Sequence, residues 1–243
     1  MNGFIDIHTH LLPGVDDGAA DMTEALRLVR IAYQNGTRAI VLTPHYRGRF
    51  KKSSVERLQA GFSEFSNMVK HEIPQMELYL GHEAYCEREL PRLLAEKAVL
   101  TIHNSRYCLL EFSPGVLRSQ LTTGVSEVVG QGFTPIIAHA ERYNVLRKQD
   151  DLLDELLNMG ALIQVNADSI MGKRGLLIRM FCNRLLGRRQ VHFVASDAHD
   201  DKMRPPILRK SFMYIHKKYG AEFAHQLFFE NAHAVLNGKI LWV

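Results

Sequence analysis

The stretch Phe4-Ile5-Asp6-Ile7-His8-Thr9-His10 decides the fold prediction, because it joins an apolar strand pattern to two candidate metal ligands. Alternate residues of a strand point to the same face, so His8 and His10 can converge on one ion. A single H-x-H motif is weak evidence, since a histidine near a strand end is most often only a polar terminus. The motif predicts a metal site only if other strand ends carry similar side chains.

Six more short apolar runs follow along the chain, and longer amphipathic stretches separate them. Short runs rich in β-branched residues and bounded by turn residues predict buried strands. The seven predicted strands are Phe4–His8, Arg38–Pro44, Met76–His82, Tyr107–Phe112, Pro135–His139, Leu162–Asn166 and Val191–Ser196. Strands that alternate with helices predict parallel pairing and right-handed crossovers. We therefore expect an α/β fold, with a barrel as the first choice and an open doubly wound sheet as the second.

The composition agrees with one domain over residues 1–243. Hydrophobic residues make up 46% of the chain and charged residues 23%, which are ordinary globular values. The net charge of +4 favours anionic substrates, whereas the lack of a basic stripe interleaved with aromatic residues argues against nucleic-acid binding. We find no signal peptide and no apolar run of the roughly 18–20 residues that a membrane helix needs, so no membrane insertion is expected. The odd set Cys86, Cys108 and Cys182 indicates reduced thiols and a cytoplasmic protein, and the oligomeric state stays open.

The other strand ends do carry candidate ligands. In parallel α/β barrels the active site lies at the C-terminal ends of the strands, so ligands should collect there. The motifs at these ends are Thr43-Pro44-His45, Gly81-His82-Glu83, Leu110-Glu111-Phe112, Ala138-His139-Ala140-Glu141-Arg142 and Ser196-Asp197-Ala198-His199. The sixth strand ends in Asn166-Ala167-Asp168, which is polar but lacks a histidine. A loop ligand is expected from Asp16 or Asp17, and Asp6 is expected to orient a ligand from behind.

The ligand types indicate which metals the site takes. Imidazole and carboxylate groups without thiolates favour Mn²⁺, Fe²⁺, Zn²⁺ or Mg²⁺ in a catalytic role over a structural zinc site. Nine side chains are too many for one ion, so we expect two or three ions with bridging carboxylates. The nine are His8, His10, Asp17 (for which Asp16 is the close alternative), His45, Glu83, Glu111, His139, Asp197 and His199.

The charge of such a cluster indicates its substrate. Its four carboxylates supply four negative charges, whereas three divalent ions supply six positive ones. A net positive cluster matches a phosphate-monoester dianion better than a neutral ester or an amide. Arg142 and Arg204 lie near the same predicted rim, where their guanidinium groups could hold phosphate oxygens in bidentate fashion. The pattern therefore predicts a metal-dependent phosphatase.

These motifs resemble those of the PHP (polymerase and histidinol phosphatase) superfamily. More narrowly, His8-Thr9-His10-Leu11-Leu12-Pro13-Gly14-Val15-Asp16-Asp17-Gly18 is similar to a segment of the bacterial manganese-dependent protein-tyrosine phosphatases of capsular and exopolysaccharide operons. The resemblance covers essentially the whole chain, and the motifs follow the family order. It implies a distorted seven-stranded (β/α) TIM-like barrel, the PHP fold, in a single domain.

The resemblance also implies three divalent metal ions, with Mn²⁺ favoured. It assigns His8, His10, Glu83 and Asp197 to the first ion, Glu83, Glu111 and His139 to the second, and Asp17, His45 and His199 to the third. It further implies that Arg142 and Arg204 contact the phosphate and that a metal-bridging hydroxide attacks phosphorus directly. The expected partner is a phosphotyrosine-bearing bacterial tyrosine kinase, modified in its C-terminal tyrosine cluster, that regulates capsular or exopolysaccharide synthesis.

Three alternatives compete with this interpretation. The same chemistry could serve a small phosphomonoester such as histidinol phosphate. A non-catalytic regulatory module on the same barrel is the alternative of another class, although the intact ligand set argues against it. A cysteine-based phosphatase needs C-x5-R, which occurs from Cys86 to Arg92 and from Cys182 to Arg188. Neither occurrence has the glycine-rich backbone that cradles phosphate, so both are interpreted as accidental.

Overall fold

Short strands alternate with helices through the part of the chain that the computed structural model describes, residues 3–47 and 54–241. The strands of this part are β1 (Phe4–Thr9), β2 (Thr37–Leu42), β3 (His45–Tyr46), β4 (Glu77–Leu80), β5 (Glu83–Tyr85), β6 (Tyr107–Glu111), β7 (Thr134–Ile137), β8 (Leu162–Asn166) and β9 (Phe193–Ala195). The helices are α1 (Met22–Gln34), α2 (Val55–Glu72), α3 (Leu90–Ala95), α4 (Arg118–Gly130), α5 (Asn144–Lys148), α6 (Asp150–Asn158), α7 (Ala167–Ile170), α8 (Leu176–Gly187), α9 (Arg209–Tyr219), α10 (Ala221–His225) and α11 (Asn231–Leu236). A π-helical turn, Gln226–Glu230, joins α10 to α11, and 3₁₀ turns span Ile102–Asn104 and Ala140–Arg142.

All the described strand pairs are parallel. One sheet has the order β1-β2-β4, and the other has the order β3-β5-β6-β7-β8-β9. The predicted strand Arg38–Pro44 corresponds to β2, which ends at Leu42; the separate strand β3 begins at His45, after Pro44, which has no N–H to donate to a ladder. The predicted strand Met76–His82 corresponds to β4, and the separate strand β5 begins one residue beyond it, at Glu83.

Backbone contacts join β1 to the chain that follows β9. Thr9 forms a parallel bridge with Ala198, and the Asp197 N–H donates to the His8 carbonyl oxygen at 3.0 Å. The first strand therefore lies against the last strand of the six-stranded sheet, and that sheet is curled. The predicted α/β class and the predicted parallel pairing of the strands are confirmed.

Two hydrophobic clusters lie on opposite faces of the six-stranded sheet. Cys108 and Leu110 of β6 belong to a cluster that contains residues of the helices α4, α6 and α8, whereas Tyr107 and Leu109 belong to another. This alternation follows from strand geometry, because successive side chains point to opposite faces. The second cluster includes Val235 of α11, so the closing helix packs on the face that the other helices leave uncovered.

The helices gain their stability from capping and packing. The Asp21 side chain accepts a hydrogen bond from the Glu24 N–H and so caps the start of α1. The helix ends at Gln34, with Asn35 as its C-cap, before Gly36 with φ +98°. One face of α1 is buried against the sheet. Among the described helices, none is both long enough and apolar enough to cross a membrane.

The loop between β1 and α1 folds back onto the end of β1. The Ala19 N–H donates to the His10 carbonyl oxygen at 3.0 Å, and the Gly14 N–H donates to the Ala19 carbonyl oxygen at 2.8 Å. A Cβ atom on Gly18 would lie 1.8 Å from the His10 carbonyl oxygen, so only glycine fits at this position. This close approach sets the position of Asp16 relative to the strand end.

We expect the variant Gly18→Ala to lower the free energy of unfolding by about 1–3 kcal/mol, because the new methyl group must displace backbone atoms. Urea unfolding followed by circular dichroism measures the change. Gly61→Ala in α2 is the control, because no described atom outside the helix lies within 4 Å of its Cβ position. That variant should be neutral or more stable, since alanine favours a helix interior over glycine by about 1 kcal/mol. Equal stability of Gly18→Ala and the wild type would contradict the close packing.

Candidate metal centre

The side chains predicted from the strand ends meet in one cluster. Among the described residues, four groups of imidazole and carboxylate side chains have ligand atoms within 4.8 Å of one another. The groups are His10, Asp17, His45 and His199; His8, His10 and Asp197; His8, Glu83 and His139; and His45, Glu83 and Glu111. Together they contain all nine predicted ligands, of which eight lie at or just after strand ends and Asp17 lies in the loop after β1.

Strand ends and strained turns hold these side chains in place. Glu83 begins β5 and Glu111 ends β6, whereas His139 and Asp197 each lie two residues after the end of a strand, β7 and β9 respectively. His139 and Asp197 have left-handed backbones with φ of 34° and 53°. A residue other than glycine in this region costs about 1–3 kcal/mol, and such strain is concentrated at functional sites. The chain turns sharply at both positions and brings these side chains into the cluster.

Three ligand atoms have the spacing expected around one metal ion. The Nε2 atoms of His8 and His10 are 3.3 Å apart, and both lie 3.5 Å from Asp197 Oδ1. Two atoms that bind Zn²⁺ tetrahedrally at about 2.1 Å are about 3.4 Å apart, which matches these distances. Glu83 lies beside the three, with Oε1 3.3 Å from His8 Nε2 and Oε2 3.3 Å from His10 Nε2. The spacing therefore fits a divalent ion.

Three imidazoles are held in the tautomer that can bind a metal through Nε2. His8 Nδ1 lies 3.0 Å from Gln164 Oε1, and His10 Nδ1 lies 2.7 Å from Asp16 Oδ2. His199 Nδ1 lies 2.9 Å from a backbone carbonyl oxygen. Because these oxygens only accept hydrogen bonds, each Nδ1 carries a proton, so in the neutral ring that binds a metal the lone pair is on Nε2, which faces the cluster. Metal-ligating histidines are commonly held by such acceptors.

Some buried polar atoms of the cluster make no hydrogen bond of good geometry. Among the described residues they include His45 Nδ1, Glu83 Oε2 and His199 Nε2, although His45 Nδ1 lies only 2.9 Å from Glu83 Oε2. An unsatisfied buried polar atom costs about 1–3 kcal/mol, so each one in a folded protein needs an explanation such as a bound ion. The residues present therefore fit a cationic ligand, which would satisfy these atoms together.

The geometry distinguishes the two neighbouring aspartates of the β1–α1 loop. Asp17 Oδ1 lies 3.4 Å from His45 Nε2 and 3.6 Å from His199 Nε2. Asp16 Oδ2 instead accepts from His10 Nδ1 at 2.7 Å and from the His45 N–H at 3.0 Å. Asp17 therefore lies among the candidate ligand atoms of the cluster, whereas Asp16 holds the His10 ring through Nδ1, the nitrogen that faces away from the cluster.

Glu83 is the shared member of the groups that contain Glu111 and His139. His139 Nε2 lies 2.7 Å from Glu83 Oε1 and 4.0 Å from Glu111 Oε1. Glu111 Oε2 lies 3.6 Å from His45 Nδ1, which is itself 2.9 Å from Glu83 Oε2. The two Glu83 oxygens thus face different neighbours, as a bridging carboxylate requires.

Arg142 and Arg204 lie at the margin of the cluster, where each side chain is 27% exposed. Arg142 Nη2 donates to Asp197 Oδ2, and Arg204 Nη2 lies 3.7 Å from Asp17 Oδ2. Burial opposes the charge of Arg142, but Asp197 and further carboxylates raise its pKa above the ordinary value. Both arginines therefore place permanent positive charge where the cluster meets solvent.

Protons balance the carboxylate charge when no metal is bound. Burial opposes the ionisation of Glu83, but the surrounding histidines hold its pKa well below the usual range. Burial also opposes protonation of His10, but Asp16 and Glu83 raise its pKa to about 10. In the same way Asp17 and Glu83 overcome burial and raise the pKa of His45 to about 9. Divalent cations would replace these protons, because metal binding at such sites releases protons.

The sequence patterns do not single out Gln164 and Asn166, although both contact predicted ligands. Gln164 Oε1 is the acceptor for His8 Nδ1, and Asn166 Nδ2 donates to Asp197 Oδ2 at 2.9 Å. The available signal was a pair of amides two residues apart in an otherwise apolar strand. Asp6, expected to orient a ligand, accepts hydrogen bonds from the backbone N–H groups of His8 at 3.5 Å and of Ser196 at 3.0 Å.

We expect metal-free protein, prepared with a chelator, to lose stability as the pH rises from about 6.5 to about 10. The pKa values of His10 and His45 are raised to about 10 and about 9, above the value of about 6.5 for an unfolded histidine. Their stabilisation is complete below the unfolded value and is lost as the pH rises through the folded values. Thermal unfolding midpoints across this range measure the loss. His10→Gln should give a flatter profile, and an equal slope in both proteins would contradict the assignment.

Comparison with known proteins gives consistent matches over almost the whole chain. The family model described as "Capsular polysaccharide synthesis, CpsB/CapC" matches residues 4–237. Tyrosine-protein phosphatase CpsB of Streptococcus agalactiae is 34% identical over 243 residues, which cover 98% of this chain and 100% of that protein. Tyrosine-protein phosphatase YwqE of Bacillus subtilis (strain 168) is 31% identical over 239 residues, which cover 98% of this chain and 93% of that protein.

A solved structure extends the likeness from sequence to fold. It comes from work on YwqE from Bacillus subtilis and CpsB from Streptococcus pneumoniae, there called unique metal-dependent tyrosine phosphatases. The superposition has a TM-score of 0.92 at 29% identity and covers 98% of this chain and 96% of that one. On these matches, the chain belongs to the CpsB/CapC family of capsular polysaccharide synthesis.

Proposed function

We propose that this protein is a metal-dependent phosphomonoesterase that hydrolyses phosphotyrosine in proteins. The observation that carries the proposal is the cluster of nine imidazole and carboxylate side chains with Arg142 and Arg204 at its margin. Relatives at 31–34% identity are named tyrosine-protein phosphatases, and this chain aligns with them over 98% of its length. Shared family and an assembled site together support a shared activity.

We propose that the nine side chains hold three divalent ions, with Mn²⁺ favoured over Fe²⁺, Zn²⁺ and Mg²⁺. One ion would be held by His8, His10, Glu83 and Asp197, a second by Glu83, Glu111 and His139, and a third by Asp17, His45 and His199. The short distances within each set support this division. When bound, such ions lower the pKa of water toward neutrality and neutralise charge on a phosphoryl group.

In this proposal Arg142 and Arg204 bind the phosphate oxygens of the substrate. A guanidinium has five N–H donors, so the contact of Arg142 with Asp197 leaves others for a ligand. Because neighbouring carboxylates raise its pKa, Arg142 stays protonated while it does so. The pair can hold a tetrahedral dianion against the cluster and stabilise the charge that develops during hydrolysis.

The cysteines are poor alternatives as nucleophiles, since the thiolate is the reactive form. Burial, with help from Glu127 and Glu87, raises the pKa of the Cys86 thiol to about 12. Cys182 is fully buried in α8, and burial raises its pKa further from the ordinary value. A metal-dependent reaction without a phosphoenzyme is therefore the better proposal.

We propose that the physiological substrate is a phosphotyrosine-bearing tyrosine kinase that acts in capsular or exopolysaccharide synthesis, modified in its C-terminal tyrosine cluster. The family of capsular polysaccharide synthesis supports this partner. The exposed position of Arg142, Arg204 and Asp17 also supports it, because a phosphotyrosine on a flexible segment can reach side chains at the surface.

We also propose that residues 1–243 form one metallophosphatase domain whose sheets together make a distorted seven-stranded barrel. In this view β2 with β3 is one interrupted strand, and β4 with β5 is another. The Glu83 N–H lies 3.3 Å from the Thr43 carbonyl oxygen and 3.2 Å from the Pro44 carbonyl oxygen. This contact joins the interruption between β4 and β5 to the one between β2 and β3. The bridge between Thr9 and Ala198 would close the barrel.

We expect EDTA to abolish phosphatase activity and Mn²⁺ to restore it. His8→Ala and Asp197→Ala should each lower turnover by at least about 100-fold, because each removes a side chain from the coordination of an ion. Activity on a phosphotyrosyl peptide at saturating Mn²⁺ is the measurement, with circular dichroism to show that the variants fold. Cys86→Ser and Cys182→Ala should retain activity. Wild-type turnover by either ligand variant would refute the site assignment.

We expect kcat/KM for a phosphotyrosyl peptide to exceed that for histidinol phosphate by more than about tenfold, because the partly exposed site suits a protein-borne phosphate. Steady-state release of inorganic phosphate from both substrates decides between them. A preference for histidinol phosphate would favour the small-molecule alternative while leaving the metal centre intact.

A further inference from the structure

We infer that Gln164 and Asn166 form an amide relay, a chain of hydrogen bonds in which each amide fixes the orientation of the next group. The relay holds the His8 ring, the His139 backbone and the Asp197 carboxylate in the positions that metal binding needs. The inference rests on the proposed metal centre and adds two positioning residues to it. Both amides lie on β8, two residues apart and therefore on the same face, and both are almost completely buried.

The register of β8 places the two amides next to the strands that carry ligands. Ile163 pairs with Ile137 of β7, so Gln164 lies close to the turn that contains His139. Asn166 pairs with Ala195 of β9, two residues before Asp197. The two amides thus add side-chain hydrogen bonds between the neighbouring strand ends that carry His139 and Asp197.

One backbone N–H fixes the orientation of Gln164. The His139 N–H donates to Gln164 Oε1 at 2.8 Å, and because a backbone N–H can only donate, the atom at this position is the amide oxygen. The same oxygen lies 3.0 Å from His8 Nδ1. His8 must therefore carry its proton on Nδ1, which leaves Nε2 as the lone pair that faces the cluster.

The orientation then passes to Asp197. Gln164 Nε2 donates to Asn166 Oδ1 at 2.8 Å, so the other end of the Asn166 amide is its NH₂ group. That NH₂ group donates to Asp197 Oδ2 at 2.9 Å. Asp197 is thereby held as an acceptor, with Oδ1 turned to the His8 Nε2 atom at 3.5 Å. Each link depends on the one before it.

Amides suit these positions because they position ligands without adding charge. The cluster already contains four carboxylates, and an acid at position 166 would set a fifth against Asp197. An apolar side chain at position 164 would remove the acceptor that keeps the His8 proton on Nδ1. It would also leave the buried His139 N–H without its hydrogen-bond partner. Second-layer partners of this kind typically change metal affinity by about 10–100-fold when they are removed.

The test measures Mn²⁺ affinity of the full chain by isothermal titration calorimetry, together with the thermal midpoint of the metal-free form. Gln164→Met and Asn166→Asp should each weaken Mn²⁺ binding by about 10–100-fold. The matched controls are Gln190→Met and Asn231→Asp, which alter buried amides that contact Asp154 and the His192 carbonyl oxygen rather than the cluster. The controls should bind Mn²⁺ with wild-type affinity even where they lower the thermal midpoint.

The Mn²⁺ affinity of the double variant Gln164→Met/Asn166→Asp shows whether the two amides act as one relay or as two independent contacts. If each link depends on the previous one, the double variant binds Mn²⁺ about as weakly as the weaker single variant. Losses that multiply, wild-type affinity in either single variant, or equal losses in the controls would each overturn the relay. If the wild-type chain binds no Mn²⁺, the proposed metal centre itself fails, which is a distinguishable result.

Discussion

Mutual repulsion of carboxylates is the constraint on which the rest of this structure depends. Glu83 and Asp197 are almost fully buried, and Glu111 and Asp17 lie within reach of the same histidines. Buried anions are tolerated only when positive charge is close to them. Protonated imidazoles and Arg142 supply part of that charge, which accounts for the depressed pKa values of both buried acids. The fold therefore brings together a set of groups that is stable only with cations.

The backbone meets this demand by collecting strand ends at one edge. Parallel strands start at one side of a domain and end at the other, so residues distant in sequence arrive together. The interruptions after β2 and β4 let the chain continue as β3 and β5 in the second sheet. His45 and Glu83 lie directly after these interruptions, and their own pairing register is His45 with Glu83. The irregular strands are thus part of how the cluster is built.

Much of the fold and the cluster could be predicted from the sequence, because both follow from short-range patterns. Seven apolar runs mark the strands, and the two-residue spacing of His8 and His10 places both side chains in one cluster. The breaks at Pro44 and Gly81-His82 were less visible, since they depend on which neighbour each half-strand pairs with. Adjacent aspartates have identical spacing, so only tertiary contacts distinguish Asp16 from Asp17. For the amides of β8, the sequence marks Asn166 only as part of a polar strand end and gives no sign of the contacts of Gln164, because amides match no metal-ligand pattern.

At His139 and Asp197 the left-handed backbone lowers the stability of the fold, whereas the side chain is needed for the proposed binding of metal ions. Glycine would relieve the strain at either position, yet it would delete the side chain that the turn presents. Glycine substitutions that stabilise the folded chain are therefore available at two positions whose side chains the cluster needs. A directed-evolution experiment that selects this chain for thermal stability alone would favour the loss of these two side chains, unless ion binding is selected at the same time.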